Sequence, residues 1–388
     1  MTDRQRPLRI VLVCEAAGGG VGKHVLDVAE NLPSRGFEVL VVHSERRAEP
    51  QFAERLARHA RHGYRVTTVD VDRAPGPGDV GAVLKLRRAV REFGGADILH
   101  GHSSKGGALA RLARWGCARR VFYTPHGFYA QAPWLPSSMR RLYGYAEYAL
   151  ALATDQVIAV SSKEMQFART LGISERKLSV VENGIRLRSE ADLACDRATA
   201  RAALGLTDAE VVIGFVGRLA PPKTPELAVE TFGRVRRSHA NARFILVGDG
   251  PQAPAVSEAL EEQGIAGDTT WMRNAVGRDM LPAVDVLLVT SQYEGFPYVM
   301  LEGLDAGCAI VTTPVGGARD CVVQGRNGAI VNEPTADAFS SAVENFMESP
   351  DALRAARSVS RARAHNFAIE RMIDRLASLY RNALDNAA

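Results

Sequence analysis

Aromatic residues make up only 6% of this 388-residue sequence, and cysteine occurs only five times. The cysteines, Cys14, Cys117, Cys195, Cys308 and Cys321, never fall in a CxxC spacing, which argues against a disulfide framework and a thiolate zinc site and predicts buried free thiols. No run of eighteen apolar residues occurs, so no membrane-spanning helix is expected. The opening MTDRQRPLRIVLVC enters a strand-like run without the apolar stretch and cleavage site of a secretory leader, and the expected location is the cytoplasm. Low-complexity tracts are also missing. With 46% hydrophobic and 24% charged residues, and 35 Gly and 18 Pro scattered along the chain, disorder and collagen-like repeats are excluded. At about 100–200 residues per domain, the length predicts two domains.

Charge is nearly balanced overall at +4, but not along the chain. Residues 1–185 carry 27 Lys/Arg against 18 Asp/Glu, and the remainder 21 against 26, giving +9 and −5. The basic half fits an anionic partner, whether a membrane surface, a phosphorylated substrate or nucleic acid; without motif support, a solvated Arg-rich surface is the simpler reading.

Short β-branched runs alternate with helical patterns: LRIVLVC, a helix near 22–34, FEVLVV, a helix near 51–62, YRVTTVDV, a helix near 80–93, ADILHGH, RVFYTPHG, a helix near 137–152, QVIAVS, a helix near 162–171 and KLSVVENG. Repeated βα units predict a doubly wound parallel sheet, so the fold class is α/β with a first Rossmann-like domain over 1–185. Residues 186–209 are polar and Ala-rich. The alternation then restarts at EVVIGFVG, giving a second Rossmann-like domain over 186–366. Residues 367–388 have Ile369, Met372, Ile373, Leu376 and Leu379 at helical spacing and are expected to return to the first domain. The two domains are expected to face each other across a cleft. Ligands in open α/β sheets bind beyond the carboxyl ends of the strands, so motifs at strand ends carry the most weight.

The first strand is followed by Gly18-Gly19-Gly20-Val21-Gly22-Lys23-His24, a glycine-rich helix start that can present backbone N–H groups to an anion. A P-loop is disfavoured because His24 and Val25 follow Lys23 where Ser or Thr would hold Mg²⁺ and Ala17 takes the place of the first Gly, and a dinucleotide-binding fingerprint because the glycines do not provide GxGxxG. His102 and Lys105 in HGHSSKGG, and His126 in TPHGF, follow two further strands and are expected at the cleft. In the second half, Arg218 and Lys223 of GRLAPPK can together offset the charge of a diphosphate. Glu294 and Glu302 in YEGFPYVMLEG form a Glu-x7-Glu pair across a strand-to-helix turn. The pair suits acid/base work or acceptance of sugar hydroxyls, and the neighbouring Arg218 and Lys223 favour the latter.

With these motifs assembled, the chain resembles the retaining glycosyltransferases of family four, which have the GT-B fold. GGGVGKHV, HSSKGG, TPHGF, VSSKE, VVENGI, GRLAPPK, LVGDGP, EGFPYVMLEGLDAG and TPVGGARD occur in the family's order. HSSKGG with YTPHGF is similar to bacterial enzymes of exopolysaccharide, capsule and O-antigen synthesis. The resemblance implies a nucleotide-sugar donor, UDP by default, and a glycan or polyprenyl-diphosphate-linked acceptor. It assigns Arg218 and Lys223 to the donor diphosphate and Glu302 to the ribose. Glu294, Gly295 and Phe296 would hold the transferred sugar, Tyr298 and Val299 the diphosphate through their amides, and His126 the donor sugar near its reacting carbon. Gly19 and Gly20 would lie against donor phosphate or acceptor. His126, Arg218, Lys223 and Glu294 form the expected catalytic set, with His102 and Lys105 on the acceptor side. No metal, other cofactor or nucleic acid is implied. Asp70-Val71-Asp72 matches a DxD metal motif, but its place in the first domain makes a solvated loop the expectation. Thr224-Pro225 stands where many relatives have Gly after the Lys, and Met272-Arg273-Asn274 where Leu-Gly is common. A nucleotide-sugar epimerase of the same fold, or a non-catalytic sugar-nucleotide-binding partner, are the alternative functions.

One segment, Pro136 to Tyr148, mixes Arg140 and Arg141 with Leu142, Tyr143, Tyr145 and Tyr148. Docking on an anionic bilayer at the inner face of the membrane and burial of the aromatics in the core both fit this pattern.

Overall fold

In the computed structural model, which describes residues 6–72 and 74–385, the chain forms two compact units. One runs to Asn183 and regains the chain from Ile369; the other spans Gly184–Ala368.

The first unit is built on a seven-stranded sheet with β1 (Leu8–Cys14), β2 (Phe37–His43), β3 (Arg65–Thr68), β4 (Ala96–His102), β5 (Ala118–Thr124), β6 (Gln156–Ala159) and β7 (Leu178–Val180) in the order 3-2-1-4-5-6-7. All pairings are parallel. The strand sequences show why. Runs such as Ile10-Val11-Leu12-Val13 are buried on both faces, the mark of strands sandwiched between helix layers. The order reverses direction between β1 and β4, so the loops leaving these two strands diverge and open a crevice between them.

The second unit repeats the plan with six parallel strands, β8 (Val211–Val216), β9 (Ala242–Val247), β10 (Thr269–Met272), β11 (Val286–Val289), β12 (Ala309–Thr312) and β13 (Gly328–Ile330), ordered 10-9-8-11-12-13. Here the switch point lies between β8 and β11.

The terminal helix Ile369–Asp385 packs Met372, Ile373, Leu376 and Tyr380 into the first unit's core. Each of those aliphatic side chains contributes about 2 kcal/mol by burial. Tyr380 also ties the helix to β4 through a 2.6 Å hydrogen bond between its hydroxyl and His100 Nδ1. The helix adds three basic and three acidic residues, so the first unit keeps its +9.

Structure and sequence reading differ at four points. Residues 186–209, read from sequence only as polar and Ala-rich, hold the helix Glu190–Ala203 of the second unit, with Ser189 accepting from the Asp192 amide as N-cap. Arg197 and Arg201 reach from it to the buried Asp285 carboxylate at 2.7 and 3.3 Å. Cys195 lies on this helix and is exposed, unlike the other four thiols. The helix expected near 51–62 is two short ones, Pro50–Leu56 and His59–His62. An unforeseen helix, Ser103–Ala113, follows β4. Its SSKGG start reads as loop, but the glycines serve close packing: a Cβ on Gly107 would lie 2.2 Å from the Tyr123 ring.

Candidate active site

At the first unit's switch point, the loop after β1 leads into the helix Gly19–Asn31. Gly19 takes φ +51°, a conformation that glycine adopts without penalty, and its amide donates to the Glu49 carboxylate at 2.8 Å. An exposed acidic side chain thus already stands at the helix N-terminus where an anion was expected.

Behind this loop four imidazoles meet. His24 comes from the helix, with Nδ1 3.0 Å from Asn183 Oδ1. His102 closes β4, and its Nδ1 is 3.1 Å from Nε2 of His126, which follows β5; the two rings stack at 5.3 Å. His100, two residues earlier on β4, bonds Thr124 Oγ1 at 2.9 Å as well as Tyr380. Burial keeps all four neutral: it brings His24 down to about 4 and holds His100, His102 and His126 well below the usual imidazole range. His102 is wholly buried rather than at an open cleft, while His126 is half-exposed.

His126 sits at φ +55°, uncommon for a residue with a side chain. The next amide, Gly127, is held by the Glu164 carboxylate, whose other oxygen accepts from the Val160 amide at 2.6 Å. Ser161 caps the helix Ser162–Thr170 by accepting from the Glu164 amide, so the VSSKE segment forms a cap that reaches sideways to fix the His126 turn. Burial raises the Glu164 carboxyl to about 7. Lys105 is committed elsewhere: its ammonium lies 2.6 Å from Asp79 and 3.0 Å from the Ala74 carbonyl. The DxD acids are in an exposed loop, where Asp70 accepts from the Glu45 amide at 3.0 Å and Asp72 pairs with Arg46.

The second unit gathers a different chemistry at its switch point. Arg218, just beyond β8, is exposed and has no ion-pair partner among the described residues. Lys223 lies on the same loop, with Nζ 2.5 Å from Glu294 Oε1 on the loop after β11; Ser291 Oγ donates to that carboxylate at 3.1 Å. Thr290 Oγ1 donates to the carbonyls of Lys223 and Thr224 at 2.8 and 2.9 Å, locking the two loops together. Glycine permits the close approaches: a Cβ on Gly248 would fall 2.0 Å from the Gly217 carbonyl oxygen, and one on Gly316 1.8 Å from that of Gly295. Phe296 and Tyr298 are buried and Val299 half-buried. The helix Tyr298–Ala306 starts without a side-chain cap and carries half-buried Glu302 in its second turn. Arg273 stacks over Trp271 at 4.0 Å and pairs with Asp249 at 3.1 Å, so the MRN departure builds a basic, aromatic shelf beside the LVGDG turn.

The structure therefore brings Lys223 with Glu294 and His102 with His126, and leaves Lys105 apart from the imidazoles, on Asp79. Sequence reasoning passed over His24, Asn183, Glu49 and Glu164. Two of these had a signal: Ser161-x-x-Glu164 is a capping-box pattern, and Asn183 stands in VVENGI.

On the helix Ser137–Leu152, Gly144, Glu147 and Ala151 face inward, whereas Arg140, Arg141, Leu142, Tyr145 and Tyr148 are exposed, Tyr145 at 73%. Arg140, Arg141, Tyr145 and Tyr148 line a groove of about 660 Å³ with Phe167 and Leu171. Burial of these aromatics in the core does not describe this helix. No helix among the described residues is long and apolar enough to cross a membrane.

Comparison with known proteins follows the two units. The family model "Glycosyltransferase Family 4" matches residues 18–189, and "Glycosyl transferases group 1" matches residues 196–364. A D-inositol 3-phosphate glycosyltransferase of Gordonia bronchialis is 29% identical over 95% of this chain and 85% of its own; that of Rhodococcus opacus is 28% identical over 95% and 86%. Among solved structures, Anabaena HepE in complex with UDP and glucose superposes with TM-score 0.81 at 19% identity, over 97% of this chain and all of that one. Sucrose-phosphate synthase from Thermosynechococcus elongatus gives 0.79 at 19%, over 99% and 100%. These likenesses establish a GT-B fold.

Proposed function

We infer that this chain, which belongs to the family 4 glycosyltransferases, moves a sugar from a nucleotide-sugar donor to an anionic acceptor with retention of anomeric configuration. The observation that carries the donor half is the β8/β11 switch point: exposed Arg218, the Lys223–Glu294 pair, and Glu302 on a helix start that no side chain caps. Glu302 accepts from ribose hydroxyls, and the amides of Tyr298 and Val299 meet the diphosphate. Arg218 and Lys223 stabilise negative charge as it grows on the departing phosphate. Lys223 must exchange part of its bond to Glu294 for phosphate oxygen, which frees that carboxylate, with the Gly295 and Phe296 amides, for the sugar hydroxyls.

The bond from the anomeric carbon to the phosphate oxygen breaks and the bond to the acceptor oxygen forms on the same face of an oxocarbenium-like sugar. The acceptor proton passes to the departing phosphate. His126 contacts the donor sugar near its reacting carbon. This chemistry needs no metal, because Arg218 and Lys223 stand where a cation otherwise would. The proposed nucleotide is UDP, the one bound in HepE.

The acceptor is proposed to be a polyprenyl-diphosphate-linked sugar at the cytoplasmic face, in cell-surface polysaccharide synthesis. The +9 of the first unit and the exposed basic and aromatic groove beside Tyr145 support it. A second reading, a soluble inositol phosphate acceptor, draws on the two inositol 3-phosphate relatives and uses the same positive charge.

Thermal shift with UDP-, GDP- and ADP-sugars, followed by hydrolysis and transfer assays in the presence of EDTA, tests the donor half. Stabilisation by a UDP-sugar and EDTA-resistant transfer are expected. Turnover of nucleotide sugar to an epimer without acceptor, or activity abolished by EDTA and restored by Mn²⁺, would overturn it. Sedimentation with anionic and neutral vesicles at low and high salt separates the acceptor readings, since an inositol phosphate enzyme has no need of the bilayer.

A further inference from the structure

We propose that His24, His102 and His126 form a binding site for one divalent transition-metal ion, Zn²⁺ foremost, within the first unit. One nitrogen from each ring lies within 4.8 Å of the others. Four-coordinate zinc with Zn–N bonds of about 2.0–2.1 Å holds its nitrogens about 3.3 Å apart, so small rotations of the rings close the set. His102 Nδ1 and His126 Nε2 are already at 3.1 Å.

The donor set suits the ion. Neutral imidazole is the ligating form, and all three rings are kept neutral by burial. The Asn183 amide oxygen accepts from His24 Nδ1, which fixes that ring's proton and places its lone pair on Nε2, the arrangement that orients ligating histidines elsewhere. Ligation through His102 Nδ1 keeps that ring's proton on Nε2. Three protein nitrogens leave a fourth position for water or a substrate oxygen, and His126 is the least buried of the three.

This ion is not a cofactor of the transfer proposed above. Given the role assigned there to His126, zinc and donor sugar exclude each other, and zinc inhibits. That consequence rests on the proposed function; the binding does not.

The test is calorimetric titration of metal-free protein with Zn²⁺ alone, on wild type, His24→Gln, His126→Gln and Cys195→Ser, each checked for folding by circular dichroism. One equivalent is expected to bind, with affinity at least about ten-fold weaker in either histidine variant and unchanged in Cys195→Ser. Co²⁺ in place of Zn²⁺ should give the visible bands of a four-coordinate nitrogen site without a thiolate charge-transfer band. Absence of saturable binding, binding that survives in folded His24→Gln and His126→Gln, or binding lost with Cys195→Ser would overturn the site. Zinc bound at one equivalent without inhibiting transfer would overturn the exclusion of donor sugar and leave the ion's site standing.

Discussion

The switch point between β1 and β4 is lined with imidazoles that burial keeps neutral, and its helix start is occupied by the chain's own Glu49. At the corresponding point between β8 and β11, Arg218 is exposed, Lys223 is held by Glu294 within hydrogen-bond reach of solvent, and the helix start has no side-chain cap. One architecture thus carries two electrostatic designs. The second unit, although net −5, places Arg218 and Lys223 at its switch point, whereas the first, net +9, buries neutral imidazoles at its own.

The sharpest way to break this comparison is to remove charge on each side. Arg218→Ala and Glu302→Ala should each lower kcat/KM for the donor by about ten- to a hundred-fold, the cost of a lost hydrogen bond to a charged group. Lys105→Ala, in the first unit, should change donor kcat/KM by less than about three-fold, because its ammonium is already spent on Asp79. Equal losses in Lys105→Ala and Arg218→Ala, in steady-state assays of folded variants, would erase the proposed division.

Acid should separate the units next. Folded His24 titrates near 4 rather than 6.5, so between those values the unfolded chain binds more protons and stability falls as pH falls. That gap corresponds to about 3 kcal/mol for His24 alone, present in full above pH 6.5 and lost as pH drops towards 4. Glu164 works the other way: its carboxyl, raised to about 7, regains stability as pH falls from 7 towards its ordinary range. One carboxyl cannot offset four imidazoles displaced in the same direction, so the first unit should loosen in acid. Hydrogen exchange at pH 5 and pH 7, with rates corrected for intrinsic pH dependence, should show lost protection around β1, β4 and β5 and little change around β8 and β11. Uniform behaviour across both sheets would contradict the contrast.

Smaller, and specific to the glycine-rich helix start, is the effect of Glu49→Gln. If the Gly19 amide serves a phosphate of donor or acceptor, the native carboxylate competes with it. A charge at an exposed helix N-terminus is worth about 0.3–1 kcal/mol, so the variant should lower KM for the phosphorylated substrate by about two- to five-fold with kcat unchanged. A raised KM would mean that Glu49 orders the loop rather than competing for it.

How far these features were legible in the sequence differs between the units for a physical reason. In the second, the proposed donor site is made of charged residues within contiguous motifs, so Arg218, Lys223, Glu294 and Glu302 could be singled out from GRLAPPK and the Glu-x7-Glu spacing. In the first, the crevice is assembled from residues far apart in sequence: His24 meets Asn183, and Gly127 meets Glu164. No local pattern announces such pairings. His24 in particular lies on the buried face of an amphipathic helix and reads as part of a failed P-loop. The βα alternation gave the first sheet and all of the second but its edge strand β10, because strands covered on both faces are written as continuous apolar runs, which the partly exposed Thr269-Thr270-Trp271-Met272 is not. It missed Ser103–Ala113 and Glu190–Ala203, where glycines used for close packing and a polar, Ala-rich stretch imitate loop.

The smallest effect concerns Thr224, where this chain departs from the glycine common after the Lys. Thr224 adopts φ +46°, a left-handed conformation that is unfavourable for a β-branched residue. It precedes the helix Pro225–Ser238 without capping it through its side chain, and its hydroxyl makes only a 3.5 Å contact with the Pro221 carbonyl. What restrains the turn is Thr290, which bonds the backbone carbonyls of Lys223 and Thr224 and would remain in a variant. Replacing Thr224 by Gly relieves strain of about 1–3 kcal/mol. It also adds about 0.5–1 kcal/mol of backbone freedom to the unfolded chain. The difference favours Thr224→Gly by about 1 kcal/mol, read as a higher denaturation midpoint with an unchanged slope. Donor KM should stay within about two-fold, since Lys223 keeps its Thr290 anchor and its Glu294 partner. A lower midpoint would show that the Thr224 side chain contributes packing to the second unit that outweighs its strained backbone, and a raised KM would show that the strain itself aims Lys223.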